Sequence, residues 1–266
     1  MLPASLGTTI PGAVPVRVVR LHPDDPWVGR IAELDQQRVS GGHALITFWA
    51  IRRTYTRSEI EQADSFLLRF RSWINCAGEQ FGTTYDTEEA CPLCHFGRRL
   101  TSALRLSCKC RPRIDISVTL AADEILVSDR MVNLIGNRHA GGVEFRPVDW
   151  VGNCPSLDPW RQLIFTGAPV RVDRKRTRFG ESPFGAAARA DSICPFGHVL
   201  GLNLLSELCC EKVSFGGSEI ARTDVAVGSR SGLLVPAPLV VVSGPLGRSM
   251  LHLGIRGVDF EVAHLA

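Results

Sequence analysis

Two short cysteine motifs, far apart in the chain, constrain its fold more than any other feature. The first is Cys91-x2-Cys94 in ACPLCHFG, and the second is Cys194-x3-His198 in ICPFGHVLG. In each motif a Cys-Pro start and a nearby glycine favour a tight turn that brings both side chains to one ion. Each motif supplies two soft ligands, and a structural zinc site takes four. We therefore predict one structural Zn2+ bound by Cys91, Cys94, Cys194 and His198.

A local alternative takes its second ligand pair from the residues that follow the first motif. Cys108 and Cys110 come after Cys94 at a spacing that resembles that of zinc ribbons. In SALRLSCKCRPR, however, Leu104, Leu106 and the two cysteines alternate with polar residues, which is typical of a strand with one buried face. Core cysteines are therefore the favoured interpretation, and Cys108 with Cys110 remains the alternative ligand pair.

The remaining cysteines bear on the compartment. The chain has nine cysteines in 266 residues. Small secreted disulfide scaffolds are usually shorter and have an even count, so we predict metal-ligating and buried free thiols in a reducing cytoplasm. Cys209 and Cys210 are predicted to lie in the core, and no chemistry is assigned to Cys76 or Cys154. No apolar run approaches the ~20 residues of a bilayer span, so we expect no membrane association.

A degenerate internal duplication is the second constraint on the fold. Two pairs of segments align in the same order, 126–148 with 241–263 and 94–104 with 198–208. The second pair places Cys94 on His198. Each longer segment has the pattern of an apolar strand ending in Val-Ser, a helix, a glycine at the left-handed helix end and a second strand. Coincidence between two α+β segments of similar composition is the alternative.

The predicted fold class is α+β with mainly antiparallel sheets, two degenerate repeats of zinc knuckle, strand, helix and strand, and a β-rich N-terminal segment. These patterns predict four parts. They are an N-terminal α+β segment (1–84), a first repeat with the CxxC knuckle (85–150), connecting strands with a basic loop (151–187) and a second repeat with the CxxxH knuckle (188–266).

Within the N-terminal part, 43–55 and 65–74 are predicted strands. Between them, Thr56 and Glu59 of TRSE form a capping-box pattern that predicts a short helix through about Ala63.

The catalytic motifs GxSxG, P-loop, HExxH and GxGxxG do not occur in a suitable context. We therefore expect a non-enzymatic protein. Asp115, Asp123 and Glu124 lie near a strand-helix junction and could pair as catalytic carboxylates. Charge at a helix end explains them more simply.

A basic run could contact a polyanion through Arg171, Arg174, Lys175, Arg176 and Arg178. Only Phe179 and Phe184 lie near it as stacking partners, and the net charge of +3 does not call for a polyanionic partner. The simpler interpretation is a solvated loop.

The chain also resembles a known family. The order YDTEEACPLCHFGRR, DISVTLAADEILVSDRMVNLIGNRHAGGVEFRPV and ICPFGHVLG resembles the bacterial double-CXXCG motif proteins, best known from myxobacteria, over roughly residues 85–265. That group includes proteins described as immunity partners of contact-delivered swarm toxins. In the family a glycine directly follows the second cysteine of each motif, whereas here His95 follows Cys94 and the second motif has become Cys-Pro-Phe-Gly-His.

The resemblance implies a cytoplasmic zinc-binding protein that binds and neutralises a toxin partner. The alternative function is a zinc-ribbon nucleic-acid-binding protein that uses the basic loop at 171–178. An enzyme with Cys91 or Cys94 as its nucleophile is a third hypothesis, and metal ligation of those thiols would argue against it.

Overall fold

The computed structural model describes residues 5–11, 16–42, 45–46, 48–107, 113–120, 124–138, 141–151, 160–184, 194–198, 202–228 and 236–266. The chain divides into two compact units, Met1–Ile51 with Ser182–Ala186, and Arg52–Glu181 with Ala187–Ala266. Among the described helices, none combines the length and the apolar character needed to cross a bilayer.

The smaller unit contains an antiparallel strand pair and one helix, β1 (Thr8–Ile10), β2 (Val16–Val18) and α1 (Pro26–Ser40). Helix α1 begins after Asp25, whose carboxylate accepts a hydrogen bond from the backbone amide of Trp27 at 2.9 Å. Proline at the first helical position fits because its missing N–H would have no partner there. Ile31 is the one described residue of this helix that is buried, so most of the helix surface is at least partly exposed.

The larger unit contains the remaining elements. In chain order they are α2 (Arg57–Gln62), β3 (Ser65–Phe70), β4 (Trp73–Ile74), β5 (Tyr85–Asp86), β6 (Arg99–Leu100), β7 (Arg105–Leu106), β8 (Ile116–Thr119), β9 (Ile125–Ser128), α3 (Asp129–Asn137), β10 (Val143–Pro147), β11 (Asp149–Trp150), β12 (Trp160–Phe165), β13 (Phe179–Gly180), β14 (Asn203–Leu204), β15 (Leu208–Cys210), α4 (Lys212–Phe215), β16 (Ile220–Val227), β17 (Ala237–Ser243), α5 (Gly244–His252) and β18 (Val258–Leu265).

Two five-stranded sheets organise the larger unit. Their strand orders are β15-β18-β3-β17-β16 and β10-β12-β9-β8-β4. All their pairings are antiparallel except β15 with β18 and β4 with β8. Short strand pairs, β5 with β6, β7 with β11 and β13 with β14, complete the unit. The predicted α+β class with mainly antiparallel sheets is confirmed.

Strands of both sheets contribute side chains to three buried apolar clusters. The largest contains Phe66 and Leu68 of β3 together with Val127 of β9 and Leu163 of β12. It also takes in the apolar faces of α3 and α5. Leu67, between the two β3 residues, points into a second cluster, because successive side chains of a strand face opposite sides. A third cluster covers the other face of the second sheet. Continuous burial on both faces explains why β3 is an apolar run without polar alternation.

The two aligned segments form similar elements. Helices α3 and α5 each have nine residues. Each begins after a serine whose hydroxyl accepts a backbone hydrogen bond, Ser128 from Met131 and Ser243 from Leu246. The expected strand, helix and second strand are present in both, and the common origin of the segments stays a prediction.

The glycine predicted at each helix end lies elsewhere. Gly142 and Gly257 both have positive φ, 85° and 106°, but they lie where the chain enters β10 and β18. The helix C-caps are Arg138 and Leu253, with negative φ. Gly142 and Gly257 therefore provide the left-handed backbone of the strand entries, and at the end of α5 the residue with positive φ, 61°, is Gly254, directly after the C-cap.

Asp115 shows why a carboxylate lies beside a helix start. Its side chain is buried and accepts hydrogen bonds from the hydroxyl of Ser128 at 3.1 Å and the backbone amide of Arg256 at 2.9 Å. Arg130 lies 3.3 Å from the same carboxylate. A negative charge at the N-terminus of α3 is favourable, so the helix-end interpretation accounts for Asp115. Asp123 lies outside the described residues.

Two strand predictions in the N-terminal part are wrong. The described residues of 43–55 form no strand, so the apolar run there is not paired into either five-stranded sheet. The run 65–74 is divided into β3 and β4, which belong to different sheets. Ser72, at the break, accepts a backbone hydrogen bond from Val118.

The predicted capping box, in contrast, is confirmed. Glu59 donates its backbone N–H to the Thr56 hydroxyl, and its carboxylate accepts from the Thr56 amide.

Glu124 is a partly buried carboxylate on the second sheet, beside Gln162. The Gln162 side chain is fully buried, and its Nε2 donates to Glu124 at 2.6 Å. The other side-chain atom of Gln162, Oε1, has no hydrogen-bond partner among the described residues. Burial raises the pKa of Glu124, although the charge of Arg222 and the Gln162 hydrogen bond act in the opposite direction.

We expect Glu124→Gln to stabilise the protein more at about pH 8 than at about pH 5. A carboxyl whose folded pKa is raised contributes stability below its unfolded pKa and loses it as pH rises through the folded pKa. The neutral amide has no such loss and still accepts from Gln162. Urea unfolding of both proteins at the two pH values measures the difference. An equal effect at both values would show that ionised Glu124 is not disfavoured in the folded protein.

Candidate metal centre

Cys91, Cys94, Cys194 and His198 converge in the larger unit. The Sγ atoms of Cys91 and Cys194 are 3.5 Å apart, and Cys94 Sγ lies 3.3 Å from His198 Nδ1. All four donor atoms lie within 4.8 Å of one another. The three cysteines are buried and form a small apolar cluster with Phe96. Among the described residues this is the one such group of three or more Cys, His, Asp or Glu donors.

The donor geometry fits a tetrahedral ion. Zinc binds Cys sulfur at about 2.3 Å and His nitrogen at about 2.0–2.1 Å, which places tetrahedral ligands roughly 3.5–3.8 Å apart. The observed separations bracket this range, from 3.3 Å for Cys94 with His198 to an outer limit of 4.8 Å. Small side-chain adjustments therefore bring all four donors to bonding distance, and the buried Cys3His set is compatible with a metal ion such as zinc.

The first knuckle is a compact turn of the backbone. The amide of His95 donates to the carbonyl of Cys91, and the amide of Cys91 donates to the carbonyl of Phe96, both at 2.8 Å. His95 has φ of 59° and Gly97 has φ of 89°. Left-handed backbone costs a residue with a Cβ about 1–2 kcal/mol, so His95 adopts this conformation because the turn requires it.

The second knuckle brings its two donor residues to the same cluster with one more residue between them. The amide of Gly197 donates to the carbonyl of Cys194 at 2.9 Å, and the amide of Cys194 donates to the carbonyl of His198 at 3.1 Å. Gly197 has φ of 86° and open space where a Cβ would lie. Its backbone conformation, not crowding, is therefore what favours glycine between the two ligands.

Local electrostatics distinguish the two thiols of the first knuckle. Burial alone raises the pKa of Cys91, but hydrogen bonds from the backbone amides of Cys94 and Leu93 and from neighbouring thiols lower it to about 6. Burial raises the pKa of Cys94, and the adjacent Cys91 and Cys194 add to that effect. One thiolate is thus favoured before a cation binds, and the other thiols release protons on ligation.

Two further residues contact the cluster or its second knuckle, and neither contact was predicted from the sequence. The ring of Phe96 lies 4.5 Å from the ring of His198, tilted by 41°. Arg174 Nη2 donates to the carbonyl of Gly197 at 3.0 Å. Phe96 was detectable as the apolar residue inside the first motif. Nothing in the sequence links Arg174 to the second knuckle.

The other cysteines divide into three groups. Cys209 and Cys210 are buried as predicted, and burial raises the pKa of both thiols. Cys108, Cys110 and Cys154 lie outside the described residues, so the local ribbon alternative stays a prediction. Leu104 and Leu106, which precede that pair, are fully buried.

Cys76, to which the sequence assigned no chemistry, is disulfide-bonded. Among the described residues, Cys91, Cys94, Cys194, Cys209 and Cys210 are free thiols.

The predicted basic loop is exposed, but its members are not equivalent. Arg171 Nε lies 2.5 Å from Glu211 Oε2, so this charge is already neutralised. Arg174, Lys175, Arg176 and Arg178 are exposed and form no ion pair with any described acidic residue. Phe179, the predicted stacking partner, is only partly exposed and packs against the second apolar cluster.

Comparison with known proteins adds no identification. No protein-family model matches the chain, and no curated protein is significantly similar to it.

Proposed function

We propose that this chain is a non-enzymatic binding protein whose larger unit is held together by one structural zinc ion. The observation that carries the proposal is the convergence of Cys91 and Cys94 with Cys194 and His198, which come from distant parts of the chain. Three thiolates and one imidazole in a buried tetrahedral arrangement suit zinc better than hard cations, which prefer oxygen. Full protein ligation leaves no open position for a substrate, as in structural rather than catalytic sites.

We further propose an immunity-type role, in which the protein binds and neutralises a toxin. Support comes from the resemblance to double-CXXCG motif proteins. The residue after Cys94 has φ of 59°, which is the conformation that favours the glycine found there in the family. His95 therefore occupies a position whose geometry explains the family pattern.

A reducing compartment, the cytoplasm, is proposed because thiols bind zinc only when reduced. The disulfide at Cys76 is of a kind more common in oxidising compartments. Thiol alkylation in intact cells, followed by mass spectrometry, separates the two cases. Alkylated Cys76 supports the cytoplasm, whereas Cys76 found only as a disulfide contradicts that compartment.

Two measurements test the proposed function. Metal analysis of the purified protein is expected to give one zinc per chain, lost in Cys91→Ser and Cys194→Ser and retained in the core variant Cys209→Ser. Co-expression with toxin genes that neighbour its own gene is expected to protect the cell. Absence of zinc contradicts the structural site. If the protein protects against none of the neighbouring toxins, the immunity role is contradicted.

Nucleic-acid binding remains the alternative, and no contact in the described residues favours it. Single-strand binders combine a basic groove with several aromatic stacking platforms, whereas Phe179 beside this loop packs against the second apolar cluster and Phe196 at the second knuckle is a single exposed ring. Binding through phosphates would fall steeply with salt, which an oligonucleotide titration at two salt concentrations detects.

A further inference from the structure

We propose that the tips of the two knuckles and an adjoining basic turn form a docking surface for an acidic polypeptide segment. The knuckle tips are Pro92, Leu93, Pro195 and Phe196, and the basic turn is residues 173–178. This inference rests on the proposed binding function and assigns it a place on the surface and a partner chemistry.

The knuckle tips expose apolar side chains beside a buried cluster. Leu93 is 48% exposed and Phe196 is 64% exposed, although both belong to the apolar residue types that proteins usually bury. Both prolines are exposed as well. Phe96 has a structural role against His198, but neither tip residue contributes a metal ligand. Contiguous exposed apolar surface is typical of protein interaction sites, and the two tips border the same buried cluster of Cys91, Cys94 and Cys194.

The basic turn brings positive charge to the second tip. Arg174 donates to the carbonyl of Gly197, the residue directly after Phe196. The tips in turn border one cluster, because the Sγ atoms of Cys91 and Cys194 are 3.5 Å apart. The apolar tips and the Arg174 side chain therefore lie around a single centre that zinc would fix, and Lys175, Arg176 and Arg178 follow Arg174 in the same turn.

The turn is held in one conformation before any partner binds. Asp173 Oδ1 accepts backbone hydrogen bonds from Lys175 at 2.9 Å and from Arg176 at 3.3 Å, and its carbonyl accepts from Thr177 at 2.8 Å. Thr177 is itself buried and donates its hydroxyl to the carbonyl of Cys209. A turn organised in this way loses little entropy when it binds.

Charge complementarity selects the partner. Arg174, Lys175, Arg176 and Arg178 lack an acidic partner within the described part of the chain, whereas Arg171 already has Glu211. An acidic segment would supply the missing anions, and complementary charge mainly speeds and orients association. Phe196 offers one exposed ring, whereas single-strand binders stack successive bases on several aromatic side chains. Leucine and proline at the other tip positions suit apolar side chains of a partner, so a polypeptide fits this surface better than a nucleic acid.

The test uses the zinc-loaded full chain labelled with 15N and a defined probe. The probe is a short synthetic peptide of glutamates interspersed with leucines, compared with the same peptide carrying glutamines and with a single-stranded oligonucleotide. We expect the glutamate peptide to shift amide resonances of the knuckle tips and the basic turn. The glutamine peptide should bind about tenfold more weakly. No shift, shifts confined to other surfaces, or tighter binding of the oligonucleotide would overturn the proposal.

Two variants with matched controls localise the effect. Phe196→Ser and the double variant Lys175→Gln with Arg176→Gln are each expected to weaken peptide binding about tenfold while zinc content stays unchanged. Val213→Ser, which changes a residue that is 88% exposed, and Arg57→Gln are expected to bind as the parent does. Equal affinity of all variants would place the peptide elsewhere.

The same variants separate this proposal from the immunity role. If the parent protects against a toxin and both docking variants protect equally well, the docking surface is wrong and the immunity role stands. If the parent protects against none, the immunity role fails, while the peptide titration still tests the surface.

Discussion

Zinc removal is expected to lower the free energy of unfolding of the larger unit by about 4 kcal/mol or more. Structural zinc binding contributes directly to folding energy because the unfolded chain offers no preformed site. A ligand that binds only the folded state at a thousand times its Kd contributes about 4.1 kcal/mol. The three larger apolar clusters contain none of the four donor residues, so we expect reduced stability, with disorder beginning at the knuckles.

Cys94→Ser tests the same dependence of stability on zinc by removing a predicted ligand instead of the metal. Cys94 is fully buried, and serine at this position replaces a soft ligand by a hydroxyl that binds zinc poorly. The variant should unfold at a lower urea concentration than the parent, and added zinc should not restore it. The parent treated with a chelator should recover when zinc is returned.

Cys209→Ser provides the control for a buried thiol outside the cluster. Cys209 is 3% exposed, so its replacement by a hydroxyl also costs stability, on the order of 1–3 kcal/mol. That loss should be the same with and without zinc. A chelator that leaves the unfolding curve of the parent unchanged would contradict a structural metal site.

The four residues of the cluster were predictable because the signal of each pair is local. Each knuckle is a short turn, and the residues that form it lie within seven positions of sequence, Cys91 to Gly97 in the first case. The same holds for the helix cap at Thr56, whose partners lie three residues away. Patterns of this kind are determined by backbone geometry over one turn, so a single sequence contains the information.

Strand pairing was less predictable because it depends on distant residues. The run 65–74 looks like one strand, yet β3 pairs with β17 and β18 while β4 pairs with β8. No residue between 65 and 74 indicates that the two ends of this run pair with strands of different sheets. The contact of Arg174 with Gly197 likewise joins residues far apart in sequence. Propensity over a short window does not encode such contacts.

Gly257→Ala is expected to destabilise the protein by about 4 kcal/mol or more, which few single substitutions do. Two effects add at this position. The backbone has φ of +106°, which strains any residue with a Cβ, and that Cβ would lie 2.0 Å from the carbonyl oxygen of Ile116 and 3.0 Å from a methyl carbon of Ile114. Backbone cannot move aside cheaply, and Gly257 also accepts a hydrogen bond from Arg71 through its carbonyl. The entry into β18 would therefore shift away from β8.

A graded series of glycine variants separates the two effects. Gly254→Ala keeps the strain of a positive φ, +61°, but meets no atom within 4 Å, so its cost should be about 1 kcal/mol. Gly136→Ala, inside α3 and equally open, should stabilise by about 1 kcal/mol because alanine favours helix. Gly142→Ala, with φ of +85° and a contact of 3.3 Å to the Ser218 hydroxyl, should fall between Gly254 and Gly257. Urea unfolding gives all four values. If Gly257→Ala costs no more than Gly254→Ala, backbone strain alone determines the glycine, and the close approach of β8 to the entry of β18 contributes nothing.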